Sequence, residues 1–194
     1  MKRSSFFFAA VVVVATLSGC GGGSVAGSVS GISLAAQDSI FLVLKDDAGK
    51  TGSVIVLIGD KPNICDTLKA NREPKASTSL AFQLYNVKVE NQTLTLLAPD
   101  VGSYTVTDQT INTTGTYSRA LFTRTDANCT ATLADTATGG KSGLVKISSL
   151  NASSSGSLVG TFDVSIGTQS DKLTGTLNAR FCDVTKIQAN PNCE

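Results

Sequence analysis

A strict period of two in the last third of the chain limits the architectures open to it more than any other feature. Leu158, Gly160, Phe162, Val164 and Ile166 fall on one face, with Val159, Thr161, Asp163 and Ser165 on the other. The same alternation returns at Leu173, Gly175, Leu177, Ala179 and Phe181, opposite Thr174, Thr176, Asn178 and Arg180. Val145 and Ile147 alternate with Lys146 and Ser148 just before. Side chains alternate across a pleated strand, so three such runs read as an antiparallel meander with one buried and one wet face. A turn at 167–171 would pair Phe162 with Leu177 and Gly160 with Ala179, large against large and small against small.

The rest of the chain fits the same class. Residues 40–44 (IFLVL) and 54–58 (VIVLI) flank a turn rich in Asp and Gly at 46–50, a hairpin signal. Both runs are apolar at every position, so both faces of each should be covered. The DDAGK turn lacks the spaced ligands of a calcium loop. Leu80, Phe82 and Leu84 alternate, then Val87 and Val89, and the change of parity near Tyr85 and Asn86 predicts a bulge or tight turn. Leu94 and Leu96, then Tyr104 and Val106, continue as strand residues, and Ala120 and Phe122 are expected core positions of a further strand. One short helix is expected over 63–71, with Asn63 as its cap, Ile64 and Leu68 on one face, and Pro62 and Pro74 outside it. The expected fold is all-β: an antiparallel sandwich or flattened barrel of about eight to ten strands with one short helix.

The N-terminal segment belongs to a different class. Lys2 and Arg3 precede the apolar run 6–17, FFFAAVVVVATL, which is shorter than the ~20 residues a spanning helix needs and suits a signal peptide. Leu17-Ser18-Gly19-Cys20 follows at once. This tetrapeptide resembles the bacterial lipobox. The resemblance implies cleavage between Gly19 and Cys20, diacylglyceryl transfer to the Cys20 sulfur and a further acyl group, such as palmitate, on its new amino group. Gly21 in place of Asp implies sorting to the outer membrane of a Gram-negative cell. Two or more chains exceed the threshold for stable attachment at about 0.8 kcal/mol per buried methylene. The expected organisation is a signal peptide over 1–19, a lipidated Cys20 with a flexible Gly/Ser tether over 20–37, and a β-rich domain over 38–194. Such a tether gives a reach of roughly 20–25 Å and a domain floating just off the bilayer.

Cysteine usage agrees with export. Beyond Cys20 there remain Cys65, Cys129, Cys182 and Cys193, an even number in an oxidising compartment, with no close CxxC pair that would suggest zinc. Two disulfides are expected. Three pairings are open, and Cys65–Cys129 with Cys182–Cys193 is preferred because the last two lie close in sequence.

Composition excludes several functions. The chain has no histidine, which removes the usual general base near neutral pH, the commonest metal ligand and every Ser-His or Cys-His arrangement. Net charge is +1, and loss of Lys2 and Arg3 leaves 14 basic against 15 acidic side chains. No basic cluster offers a footprint for nucleic acid. P-loop, GxSxG and GxGxxG patterns are absent. Glu73, Glu90 and Glu194 fall in polar loops or ends, and Asp163 reads as a cross-strand surface partner of Arg180. Tyr85, Tyr104 and Tyr117 are candidates for a ligand surface or the core.

The stretches LSGC (17–20), CDTL (65–68), DANC (126–129), SGLVKISSL (142–150), GSLVGTFDVSIG (156–167) and LTGTLNARFC (173–182) together resemble small, uncharacterised cell-envelope lipoproteins of Gram-negative, myxobacterial type. That resemblance implies an architecture and a location and supplies no site residues. The reading is a membrane-anchored envelope lipoprotein, non-catalytic, without cofactor or metal, acting as a binding or structural module toward an envelope protein or glycan. The alternatives are a small apolar ligand carrier with a barrel cavity and a carboxylate-based secreted hydrolase.

Overall fold

The computed structural model describes residues 22–45, 49–134, 137–184 and 191–193. The expected signal peptide, Gly19, Cys20, the tip of the 46–50 turn and Glu194 lie outside the described residues. In chain order the elements are β1 (Ser24–Gly27), β2 (Asp38–Lys45), β3 (Thr51–Gly59), α1 (Ile64–Lys69), β4 (Arg72–Glu73), β5 (Thr78–Glu90), β6 (Thr93–Leu97), β7 (Gly102–Val106), β8 (Gly115–Arg124), β9 (Gly140–Leu150), β10 (Ser157–Ile166), β11 (Asp171–Phe181) and β12 (Asn192–Cys193).

The all-β expectation holds, and between sandwich and barrel the answer is a closed barrel. Eight strands run in the order β2-β3-β5-β8-β7-β9-β10-β11, and β11 returns to β2 to close the ring. Two contacts are parallel rather than antiparallel: β11 with β2 at Arg180–Ile40 and Phe181–Phe41, and β7 with β8 at Thr105–Tyr117 and Val106–Ser118. Closure reduces the exposed edge that an open sheet of this size would carry, and the part of β11 that β2 leaves uncovered is taken up by β1.

Inward positions match the sequence alternation. Val54, Val56, Ile58, Leu80, Phe82, Leu84, Tyr104, Val106, Phe122, Val145, Leu158, Phe162, Leu173 and Leu177 are buried in one core. Phe82 and Phe162 come from strands four places apart in the eight-strand ring, yet their ring centroids are 5.0 Å apart. Side chains from opposite walls therefore meet and fill the barrel at that level. The doubly apolar strands are covered on both faces, as their composition predicts. Phe41 joins the barrel core, whereas Ile40 joins a second cluster outside the wall with Ile64, Cys65 and Cys182.

Four expectations need correction. First, the meander forms, but its register is offset by two residues. Phe162 lies opposite Gly175, Gly160 opposite Leu177 and Leu158 opposite Ala179. The period of two fixes the face and leaves even offsets open. The turn at 167–170 selects the pairing Ile166–Asp171. Large then faces small: a Cβ on Gly175 would meet the Phe162 ring at 2.6 Å, so the ring lies over the bare glycine backbone.

Second, β5 carries no bulge at Tyr85 and Asn86, since its pairing with β8 runs unbroken from Thr78–Arg124 to Val87–Gly115. Its other edge changes partner there instead, from β3 up to Leu84 to β6 from Asn86 onward.

Third, the expected tether at 20–37 is docked from its first described residues. β1 pairs with β11 from Ser24–Thr176 to Gly27–Leu173, on an edge that β2 covers only at Arg180 and Phe181. Unpaired backbone groups there would otherwise face only water. Beyond β1 the chain crosses one end of the barrel. Ser30 N–H donates to Asp171 Oδ2 at 2.8 Å, Val29 and Leu34 are buried in the core, and Gln37 N–H donates to Gly59 O at 2.8 Å.

Fourth, the disulfides are Cys65–Cys182 and Cys129–Cys193, not the preferred Cys65–Cys129 and Cys182–Cys193. Cys182 follows β11 onto the outer face beneath α1, with its N–H donating to Phe41 O at 2.7 Å. Further on, β12 pairs in parallel with β4, which carries Cys193 toward the 126–129 turn.

Candidate functional site

The second apolar cluster outside the wall is where the chain builds something beyond a packed barrel. Helix α1 lies over the outer faces of β2 and β3, with Ile64 and Cys65 buried beside Ile40 and Cys182 and with Leu57, Leu68 and Val184 packed around them. Asn63 stands at the N-cap position in a left-handed conformation, φ 59°, without a side-chain cap bond. The cap comes from elsewhere. Asp38 Oδ2 accepts the Ile64 N–H at 2.9 Å and an Arg180 Nη2 donor at 2.9 Å, while Oδ1 accepts the Ser39 N–H at 2.9 Å. One carboxylate thus ties the start of β2, the start of α1 and the end of β11. The Cys65–Cys182 bridge fixes the same three-way junction covalently.

Between α1 and the strand ends lies a cleft of about 240 Å³. Leu57, Ile64, Leu68, Pro74 and Pro191 give it an apolar floor, and Asp60, Lys61, Arg72 and Glu73 stand among its polar lining. Asp60 is engaged structurally, since its Oδ1 accepts the Thr78 N–H at 2.9 Å. The second bridge steadies the opposite wall by joining Cys193 of β12, paired with β4, to Cys129. Asp126 shapes that turn: its Oδ1 accepts the N–H groups of Asn128 at 2.8 Å and Thr130 at 2.9 Å. Those two backbone donors, Thr130 first, hold its carboxyl below the usual range.

The cleft is built for apolar contact with a charged rim. Among the described residues no group of three or more His, Cys, Asp or Glu side chains could hold a metal ion. Groups with displaced titration lie elsewhere. Burial pushes the phenols of Tyr85 and Tyr104 up, and hydrogen bonds from Lys141 and then Gln109 hold the Asp108 carboxyl down. Tyr104 is a core residue whose hydroxyl donates to Asp100 O at 2.6 Å and accepts the Asp100 N–H at 2.9 Å, closing the 99–102 turn. Tyr117 meets Thr113, hydroxyl to hydroxyl, at 2.6 Å. The three tyrosines do not converge on one surface: Tyr104 is interior, while Tyr85 and Tyr117 are cross-strand neighbours on β5 and β8.

Asp163 sits opposite Thr174 and approaches Lys172 at 3.7 Å; Arg180 bonds Asp38 instead. The expected Asp163–Arg180 pair is therefore absent, because Arg180 lies opposite Ser157, six residues from Asp163 along β10. Sequence reasoning found α1 and its cysteine but missed the cleft. Its walls come from segments near 57, 64, 73, 123 and 191, which only the barrel closure and the bridges bring together.

Among the described residues no helix is long and apolar enough to cross a membrane. No protein-family model, no curated protein and no solved structure matches the chain.

Proposed function

We propose that the chain is a cell-envelope lipoprotein, freed of residues 1–19, held in the outer membrane of a Gram-negative bacterium through Cys20, and carrying a non-catalytic β-barrel as a binding or structural module. The observation that carries this reading is LSGC closing a twelve-residue apolar run, 6–17, that two basic residues precede. Two disulfides support an oxidising compartment. The lack of histidine supports a non-catalytic role.

The surface best suited to binding is the cleft beneath α1. Its apolar floor takes an aliphatic or aromatic group, and its charged rim orients what is attached to that group. The same cleft favours the second reading, carriage of a small apolar ligand, and moves the ligand from the packed lumen to the outer wall.

The anchor is tested by expressing full-length wild type and Cys20→Ser in a Gram-negative host. Wild type should fractionate with membranes, and the variant should be unprocessed or released. Unchanged membrane residence of Cys20→Ser would remove the proposal. For the cleft, Leu68→Arg should abolish enhancement of an environment-sensitive apolar dye without lowering the melting temperature by more than a few degrees.

A further inference from the structure

The N-terminal segment does not leave the barrel where a tether would. β1 is held to β11 by its ladder, by Ser24 N–H donating to Thr176 Oγ1 at 3.1 Å and by the Ser24 and Thr176 hydroxyls at 2.9 Å. Gly23 runs so close to the wall that a Cβ there would lie 2.1 Å from Thr176 O. Gly22 lies against Gln37, where a Cβ would meet the carbonyl oxygen at 3.6 Å. Position 22 therefore sits on the flank of the barrel, just before β1 begins and beside the start of β2. Cys20 lies two residues earlier, and two residues span at most ~7 Å.

From this we infer that the barrel flank around β1 and β11 rests on the phospholipid bilayer, held close to it by a lipid on Cys20 rather than floating at the end of a long tether. The inference rests on the proposed lipidation of Cys20 and adds the orientation that follows from it. The acyl chains enter the bilayer from Cys20, so the wall within ~7 Å of that residue reaches the headgroup layer. The chemistry of the flank suits that layer. Thr174, Thr176 and Asn178 point outward from β11 without charge, Arg180 is half exposed, and the carboxylate of Asp163 has Lys172 beside it at 3.7 Å. β8 is four strands from β11 either way round the ring and faces away from the membrane.

The test uses full-length lipidated protein in vesicles of phosphatidylcholine and phosphatidylglycerol doped with a headgroup-nitroxide lipid. Cys20 carries lipid and the other four cysteines are bridged, so an added cysteine is the free thiol for a fluorophore. Labels are placed by Asn178→Cys on β11 and, separately, Leu121→Cys on β8. Quenching at 178 should exceed that at 121 at least three-fold. Ten Gly/Ser residues inserted before Gly22 should abolish that difference while the protein still co-floats with vesicles. Equal quenching at the two sites in the uninserted protein overturns the resting of this flank on the bilayer. Failure of the uninserted protein to co-float with vesicles instead overturns the lipid anchor itself, so the two failures are told apart.

Discussion

Replacing both Cys65 and Cys182 by alanine tests the physical account of the barrel at its most consequential crosslink. The two residues are 117 apart in sequence. With Cys129–Cys193 intact, the shortest covalent path between them runs 64 residues to Cys129, across that bridge and 11 residues back from Cys193, about 76 in all. A loop of ~76 residues contributes roughly 4.5 kcal/mol in the chain-entropy model, and measured bridges usually reach ~2–4 kcal/mol. The expected loss is therefore about 3–4 kcal/mol, or roughly 10 °C in melting temperature for a domain of this size. Alanine avoids leaving a hydroxyl at positions that are 7% and 1% exposed. Urea unfolding of the protein, followed by circular dichroism, gives the number. A loss below about 1 kcal/mol would refute the loop-entropy argument. Non-reducing peptide mapping of wild type checks the premise, and a Cys182–Cys193 peptide pair would refute the connectivity.

Three further outcomes follow from single contacts. Gly175→Ala should cost about 1–3 kcal/mol by overpacking, and Phe162→Leu should restore only part of it, because the new Cβ also meets Ser24 O at 1.9 Å; full restoration in a thermal melt would contradict the seating of β1. Leu34→Ala should cost about 2–5 kcal/mol, as for a core leucine, whereas a free tether would show no loss. Tyr104→Phe removes two hydrogen bonds at the 99–102 turn and should cost about 1–2 kcal/mol. Burial raises the folded-state pKa of that phenol, so its contribution is complete below the unfolded value of ~10 and is lost as pH rises through the higher folded value. Alkaline melts of wild type and Tyr104→Phe should therefore converge.

Much of the barrel was legible because burial on one face imposes a period of two, and that period survives in β10 and β11 almost without exception. What the period does not carry is the offset between strands. Matching Phe162 to Leu177 by size selects the wrong even register, since the native pair of Phe162 with Gly175 gains by laying a ring over bare backbone. Gly/Ser composition hid the docking of β1, where the deciding factor is an incompletely covered edge of β11 far away in sequence. Sequence proximity likewise favoured Cys182–Cys193, although the bridges answer to where β11 ends under α1 and where β12 meets β4. The cap of α1 shows the same limit, for Asn63 is next to the helix but Asp38 does the capping.

The anchor at Cys20 underlies both the proposed location and the mounting of the barrel on the bilayer. Intact-mass spectrometry of the full-length gene product, extracted by detergent from host membranes, tests it most directly. The account predicts a chain beginning at Cys20 with the mass of a diacylglyceryl group and one further acyl chain added. A mature chain beginning elsewhere, or one beginning at Cys20 without added lipid mass, would contradict it.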